Sequence, residues 1–318
     1  MPTESAVSRA DIEAAHTRIR AHVRRTPLIE TASPLPGAPS VSLKLELLQH
    51  SGSFKARGAF NNLLQRQAPP VGCATASGGN HGAAVAYAAQ RLGVAAKIFV
   101  PSISSRAKIA KIRAYGAEVH VEGKDYFDAQ ALCDAYVAET GALKIHPYDA
   151  AETIAGQGTV GLEWEQDLAR LGIAELDTVL VAVGGGGLIA GLAAWFDGRV
   201  KLIGVEPEGS RAMDAALRAT EPVEVPIQSI AADSLGARKI GAMAFAICKT
   251  RVDRIALVSD DQIVAAQRLL WRDYSLIAEP GGAAAFAALY SGAYVPAADE
   301  RVGVLICGSN ADLDAFAL

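Results

Sequence analysis

A lysine that opens a helix is placed to act as a nucleophile, and Ser51-Gly52-Ser53-Phe54-Lys55-Ala56-Arg57-Gly58 sets Lys55 in that position. Ala56, Phe60, Leu63 and Leu64 recur at the spacing of one apolar helical face, and Ser53 has the chemistry of an N-cap, so Lys55 is predicted in the first turn. The positive end of the helix dipole disfavours a cation there, and partial burial disfavours it further. Both effects favour the neutral amine, which attacks carbonyl carbon. Taken alone, a lysine is more often a solvated side chain on an ordinary helix. Four further motifs bear on the choice.

Val183-Gly184-Gly185-Gly186-Gly187-Leu188 follows an apolar strand directly and opens a helix. Consecutive glycines let backbone N–H groups approach an anion, and the helix N-terminus adds its positive end. The run is a phosphate cradle, or else a bare strand-to-helix turn. Gly185-x-Gly187-x-x-Ala190 also fits the dinucleotide fingerprint, and Glu206 ends the next strand near the spacing of a ribose-binding acid. An NAD-dependent oxidoreductase is therefore the competing reading; it gives Lys55 no task, and the fingerprint normally sits in the first βαβ unit of its domain. Ser77-Gly78-Gly79-Asn80-His81-Gly82 is another small-residue turn into an apolar helix, where N–H groups, a hydroxyl and an amide converge without an acid. That set suits a carboxylate or a phenolate-like oxygen, and equally a cap in which Asn80 and His81 satisfy local backbone. Cys307, in Leu305-Ile306-Cys307-Gly308-Ser309-Asn310, stands at the carboxyl end of a late strand, where a polar group would face a cleft; it also suits a small buried core position. Glu279-Pro280-Gly281-Gly282 reads first as helix-start chemistry, with Pro280 near N1.

The elements that must position these residues alternate. Short β-branched runs at 41–45, 95–100, 117–121, 178–183, 201–206, 254–258 and 302–306 are interleaved with helical patterns at 8–23, 54–67, 82–92, 104–115, 126–139, 156–170, 188–195, 260–275 and 282–290. Such alternation predicts an α/β protein of mostly parallel sheets flanked by helices. Turn formers at Gln67-Ala68-Pro69-Pro70-Val71-Gly72 and around His146-Pro147-Tyr148-Asp149 bound an insert with its own alternation. A larger lobe is expected from 1–68 and 148–318 and a smaller one from 69–147, with a ligand cleft between them at strand carboxyl ends. At 318 residues and 51% hydrophobic content the chain can bury a large core, and its net charge of -4 has the wrong sign for a nucleic-acid binder. Arg106, Lys108, Lys111 and Arg113 read as the wet face of a helix. The start has no signal-peptide core, no apolar window is long enough to span a bilayer, and Cys73, Cys133, Cys248 and Cys307 form no CxxC pair, so the cytoplasm is expected.

Together these segments resemble the fold-type-II pyridoxal-phosphate enzymes, a two-lobed, tryptophan synthase β-like class, and most closely the threonine/serine dehydratase and serine racemase group. Arg25-Thr26-Pro27-Leu28 and Ala155-Gly156-Gln157-Gly158-Thr159 are similar to further family signatures, in the same order along nearly the whole chain. The resemblance implies pyridoxal 5'-phosphate bonded to Lys55, with Phe54 beside it, Asn80 on the ring hydroxyl oxygen and Gly184, Gly185, Gly186, Gly187 and Leu188 on the phosphate. Cys307 would stand at the ring nitrogen, where many members have serine. Ser77, Asn80 and His81 would hold the substrate carboxylate, and Glu279 is a further candidate. The activity implied is β-elimination from a β-hydroxy amino acid such as L-threonine or L-serine, giving a 2-oxo acid and ammonia. Serine racemisation, or dehydration of a bulkier or acidic β-hydroxy amino acid, is the alternative. A homodimer is implied by family analogy, with no membrane or nucleic-acid partner.

Departures from the family pattern refine this. Racemase-type members carry a second serine where this chain has Gly78, so the base on the opposite face is missing. Their divalent-cation site is matched by Glu206 alone, with Ser210 and Ala212 at the following ligand positions, and no metal is expected. Arg211 is read as surface. Asp233-Ser234-Leu235-Gly236 looks like the family loop near the cofactor and receives no chemical role. The chain ends at Leu318, soon after the last strand, so no appended regulatory domain and no end-product control are expected.

Overall fold

A computed structural model describes residues 7–312. From the N-terminus it runs through α1 (Arg9–Ile19), β1 (Leu28–Thr31), β2 (Val41–Lys44), α2 (Lys55–Arg66), β3 (Cys73–Ala76), α3 (Asn80–Leu92), β4 (Ala96–Val100), α4 (Arg106–Ala114), β5 (Glu118–Val121), α5 (Tyr126–Thr140) and β6 (Leu143–Lys144). It continues through α6 (Ala151–Leu171), β7 (Thr178–Ala182), α7 (Gly187–Phe196), β8 (Lys201–Pro207), α8 (Ala212–Ala219), α9 (Ala232–Leu235), α10 (Ala242–Cys248), β9 (Val252–Val258), α11 (Asp260–Tyr274), α12 (Pro280–Tyr290) and β10 (Val302–Leu305).

Two sheets result, a six-stranded one in the order β1-β2-β10-β7-β8-β9 and a four-stranded one in the order β5-β4-β3-β6. Apart from the antiparallel edge strand β1, every neighbouring pair is parallel. Parallel strands are covered by helices on both faces and so read as unbroken apolar runs. Thr178-Val-Leu-Val-Ala in β7 does so, and all five residues are buried. The four-stranded sheet is built wholly from strands that lie between β2 and β7 in the chain.

Helix α2 joins the two halves. Ala59, Phe60 and Leu63 enter the core of the four-stranded half with Ile98, Ile112 and Ile145, whereas Arg57 faces Glu46 and Glu163 in the other half. The same helix lies almost in backbone contact with α6: a Cβ at Gly156 would come 2.7 Å from the Gly58 Cα. The Ala155-Gly156-Gln157-Gly158-Thr159 signature is thus a close-packing device.

Three strands escaped the sequence pattern. β3, Cys-Ala-Thr-Ala, has almost no β-branched residue although all four positions are buried. β6 spans only two residues, and β1 is a short edge strand behind Pro27. Small residues suit a central strand crowded by helices, but they carry little strand preference of their own.

Candidate active site

Lys55 is positioned by the segment before it. Ser53 is extended and pairs with Gly308 in an isolated antiparallel bridge, and the Phe54 N–H donates to the Cys307 carbonyl at 3.2 Å. This differs from the N-cap expected of Ser53. The bridge draws Ser53 into strand-like backbone, Phe54 takes the cap position without a side-chain bond, and the buried Ser53 hydroxyl is left without a partner. Lys55 still opens the helix. Its ammonium donates to the Pro147 carbonyl at 2.7 Å and lies 5.2 Å from the centre of the Phe54 ring. Burial pulls its pKa down to about 8, a loss that the nearby Glu279 carboxylate only partly offsets.

Opposite stands the glycine ribbon between β7 and α7. Gly186 adopts φ +91°, a left-handed conformation that favours glycine. A Cβ on Gly185 would lie 2.3 Å from the Tyr148 ring, so a side chain there would need that ring to move. Because α7 starts at Gly187, its first N–H groups have no intrahelical acceptor and carry the positive end of the dipole. The ribbon, Phe54, Lys55, Asn80, Tyr148, Ser234, Leu235, Glu279 and Cys307 line one open cleft.

The remaining wall joins three strand and helix ends. Pro280 takes N1 of α12, as its type implies, and Glu279 sits at the cap. The Glu279 carboxylate does not cap its own helix; it accepts from the Asn80 amide at 2.5 Å, and the Asn80 oxygen accepts from Asn310 at 2.7 Å. Asn80 is therefore oriented by a chain of side chains and not spent on local backbone. Burial raises the Glu279 pKa to about 7, against the Asn80 hydrogen bond, which lowers it. Cys307 donates its thiol to the Gly281 carbonyl at 3.5 Å, and burial pushes the thiol pKa up, so it stays protonated.

Two expected site residues stand apart from the cleft lining. His81 is buried with Nε2 3.1 Å from the Ile145 carbonyl, and burial with nearby Lys55 takes its pKa to about 3, leaving a neutral ring. The Ser77 hydroxyl accepts from the Gly79 N–H at 3.3 Å, inside its own turn. Glu206, the acid of the dinucleotide reading, accepts from the Met213 and Asp214 N–H groups at 2.8 and 2.9 Å and so caps α8. Arg211 is exposed. No cluster of three or more metal-ligating side chains occurs among the described residues. Tyr148, Ser234 and Leu235 are cleft residues without an assigned role at the sequence level. Tyr148 lay in a segment whose proline and aspartate mark a turn, and nothing local to it signals a pocket.

The family model described as pyridoxal-phosphate dependent enzyme matches residues 19–308. A phenylserine dehydratase of Ralstonia pickettii is 41% identical over 311 residues, covering 94% of this chain and 92% of the relative. A catabolic L-threonine dehydratase of Staphylococcus aureus is 36% identical over 322 residues, covering 98% and 92%. Among solved structures, maize serine racemase matches with a TM-score of 0.90 at 30% identity over 98% of this chain and 96% of its own. A serine racemase from Dictyostelium discoideum matches with a TM-score of 0.87 at 31% identity over 96% and 99%.

Proposed function

The chain belongs to the pyridoxal-phosphate-dependent enzyme family, and on that premise we propose that it is an ammonia-lyase removing water and ammonia from a β-hydroxy amino acid. The relatives' names run from phenylserine to threonine, so the reaction class is common to them while the β-substituent differs. Pyridoxal 5'-phosphate is the cofactor, and the cleft has the features it needs. The ribbon has no room for side chains at Gly185 and ends at a helix N-terminus, which suits a phosphate. Lys55 would bond the aldehyde, Phe54 would lie beside the ring, Asn80 would meet the ring oxygen, and Cys307 would face the ring nitrogen. When bound, the cofactor supplies the sink for negative charge at the substrate α-carbon.

What the chain itself supplies follows from the groups described. Lys55, with a pKa of about 8, can take and return a proton near neutral pH, as a general base requires. Cys307 keeps its proton and offers the ring nitrogen a neutral thiol in place of a carboxylate. We assign the substrate carboxylate to the 77–81 turn, with Asn80, which lines the cleft, as the direct partner, and with Ser77, which accepts the Gly79 N–H, and His81, held through Ile145, shaping the turn behind it. Gly78 has no hydroxyl for the opposite face, and a Cβ there would meet the Ser104 Oγ at 2.1 Å, which favours elimination over racemisation. The family match sets aside the dinucleotide reading. A cytoplasmic homodimer with lobes at 1–68 plus 148–318 and 69–147 is part of the same proposal, resting on the family likeness.

The carrying observation is Lys55, a half-buried amine with a pKa of about 8 that hydrogen-bonds the Pro147 carbonyl and lines one cleft with the glycine ribbon. An absorption spectrum of the purified protein tests it. A violet-edge band that moves on addition of L-threonine, L-serine or a bulkier β-hydroxy amino acid, with release of 2-oxo acid and ammonia, is expected. A protein that is silent there after incubation with pyridoxal phosphate would defeat the proposal.

A further inference from the structure

Lys111, on the α4 face read from the sequence as wet, turns inward and is half-buried. Its ammonium reaches across the two halves of the molecule and donates to the Ser51 carbonyl at 3.0 Å and to the side-chain oxygen of Asn310. The Asn310 amide nitrogen donates in turn to the Ser51 carbonyl at 2.9 Å and to the Asn80 oxygen at 2.7 Å, and the Asn80 amide nitrogen donates to Glu279 at 2.5 Å. One chain of hydrogen bonds therefore runs from Lys111 through Asn310 and Asn80 to Glu279, with every donor pointing the same way. Gly52 makes room for it: its φ is +81°, and a side chain there would collide with the Asn310 oxygen.

The ends of this chain set its direction. An amide can be turned either way, but an ammonium has only donors and an ionised carboxylate only acceptors. Lys111 makes Asn310 present its oxygen, which leaves the Asn310 nitrogen for Asn80 and the Asn80 nitrogen for Glu279. The two end charges also sense each other, each moving the other's pKa toward the charged form against burial. We propose that Lys111 is a positioning residue that acts through Asn310 to hold the Asn80 amide with its nitrogen toward the cleft, so that the N–H not bonded to Glu279 is offered to the ring oxygen of the cofactor. This rests on the cofactor reading and adds to it, since Lys111 stands outside the cleft lining and works only through Asn80, which is part of that lining.

The test titrates pyridoxal phosphate into the cofactor-free protein and records the absorption of the loaded one. Lys111→Met keeps the apolar stem and removes the donors. It should raise the dissociation constant by about 10-fold, as expected for the loss of one hydrogen bond to a charged group. The violet-edge band should also give way in part to one at shorter wavelength, because a ring oxygen without a donor keeps a proton of its own. Lys111→Arg restores the donors and should stay within about 3-fold of the native constant. Asn310→Asp keeps the contact to Lys111 as an ion pair but cannot donate to Asn80, and it should match Lys111→Met in both readouts. If either of these two variants binds with the native constant and band, or if the constant weakens while the band stays, Lys111 only ties the halves together and the inference falls, while the cofactor reading stands. A Lys111→Arg protein as weak as Lys111→Met would overturn it too. Should Lys111→Met fail to fold, Asn310→Asp decides alone. If the native chain itself takes up no pyridoxal phosphate, the cofactor reading falls, and this one with it.

Discussion

Lys55 and Arg57 are two cations on the first turn of one helix, and their surroundings send them in opposite directions. Arg57 is fully buried, which alone would lower its pKa, but Glu46 and Glu163 grip it and together raise it. Its guanidinium donates to Glu46 at 2.9 and 2.7 Å and to Glu163 at 3.0 and 2.6 Å, with Thr159 at 3.1 Å. Lys55 has a carbonyl in place of a carboxylate, and burial prevails. Pairing turns a buried charge into structure; withholding a close partner turns it into a group that can lose its proton. The contrast also explains why α2 serves both purposes: Arg57 anchors the turn to Glu46, just past β2, and to α6, and that anchor holds Lys55 in place.

The largest expected effect comes from removing the unpaired member. Lys55→Ala should lower 2-oxo acid formation by about 10³-fold or more, since on the proposed reading it would delete both the cofactor anchor and the base. Thermal unfolding of the cofactor-free protein should shift little, because no buried carboxylate loses a partner. A large loss of stability with activity retained would reverse the assignment of the two residues.

Removing the paired member should do the opposite. Arg57→Leu leaves Glu46 and Glu163 buried without their shared cation, at a cost of about 3–5 kcal/mol, read by urea unfolding. Adding Glu46→Met alone, which leaves Glu163 to the buried Lys44 3.6 Å away, should recover at least half of that loss, as expected when an uncompensated charge is the cause. Recovery of less than half would show that the network does more than neutralise Arg57.

A smaller effect tests the ribbon facing Lys55. Gly185→Ala should raise the dissociation constant for pyridoxal phosphate by about 10-fold, because a methyl group displaces either Tyr148 or the phosphate. Equilibrium titration of the cofactor-free protein measures it, with no reliance on turnover. An unchanged constant would remove the ribbon from the cofactor site.

The same contrast bounds what the sequence could show. Lys55, the ribbon and the Asn80 turn stand out in the sequence because each is a short run of adjacent residues, and the structure brings all three to one cleft. The Arg57 network does not stand out, since its partners lie 11 and 106 positions away and no local pattern marks them. Thr26 and Thr159 were visible only as parts of signatures. In the structure the first donates to Glu46 and the second accepts from Arg57, so both signatures serve the buried charge. The parallel α/β plan followed from alternation, whereas β3 was hidden by alanines that exist for packing. Ser53 failed as a cap because a long-range bridge to Gly308 overrode a local preference.

The finest test asks how far Lys55 is from being paired. Glu279 is the one carboxylate among the causes acting on it and raises its pKa, against the larger effect of burial. Glu279 itself titrates at about 7, so above that pH it is ionised and supports the ammonium, and below it the support fades. Glu279→Gln keeps an acceptor for the Asn80 amide but removes the charge. The Lys55 pKa should then fall below about 8, by less than about one unit, and capture of the cofactor by the cofactor-free protein should reach its plateau at lower pH. Stability shifts with a definite sign as well. A carboxyl whose folded pKa is raised favours folding fully below its unfolded value of 4.5, and that contribution disappears as pH rises through about 7. Relative to the native chain, the Gln variant should therefore gain stability as pH rises from 4.5 to about 7 and hold that gain above it. A capture profile displaced to higher pH would mean that Glu279 acts on Lys55 through Asn80 positioning and not through its charge.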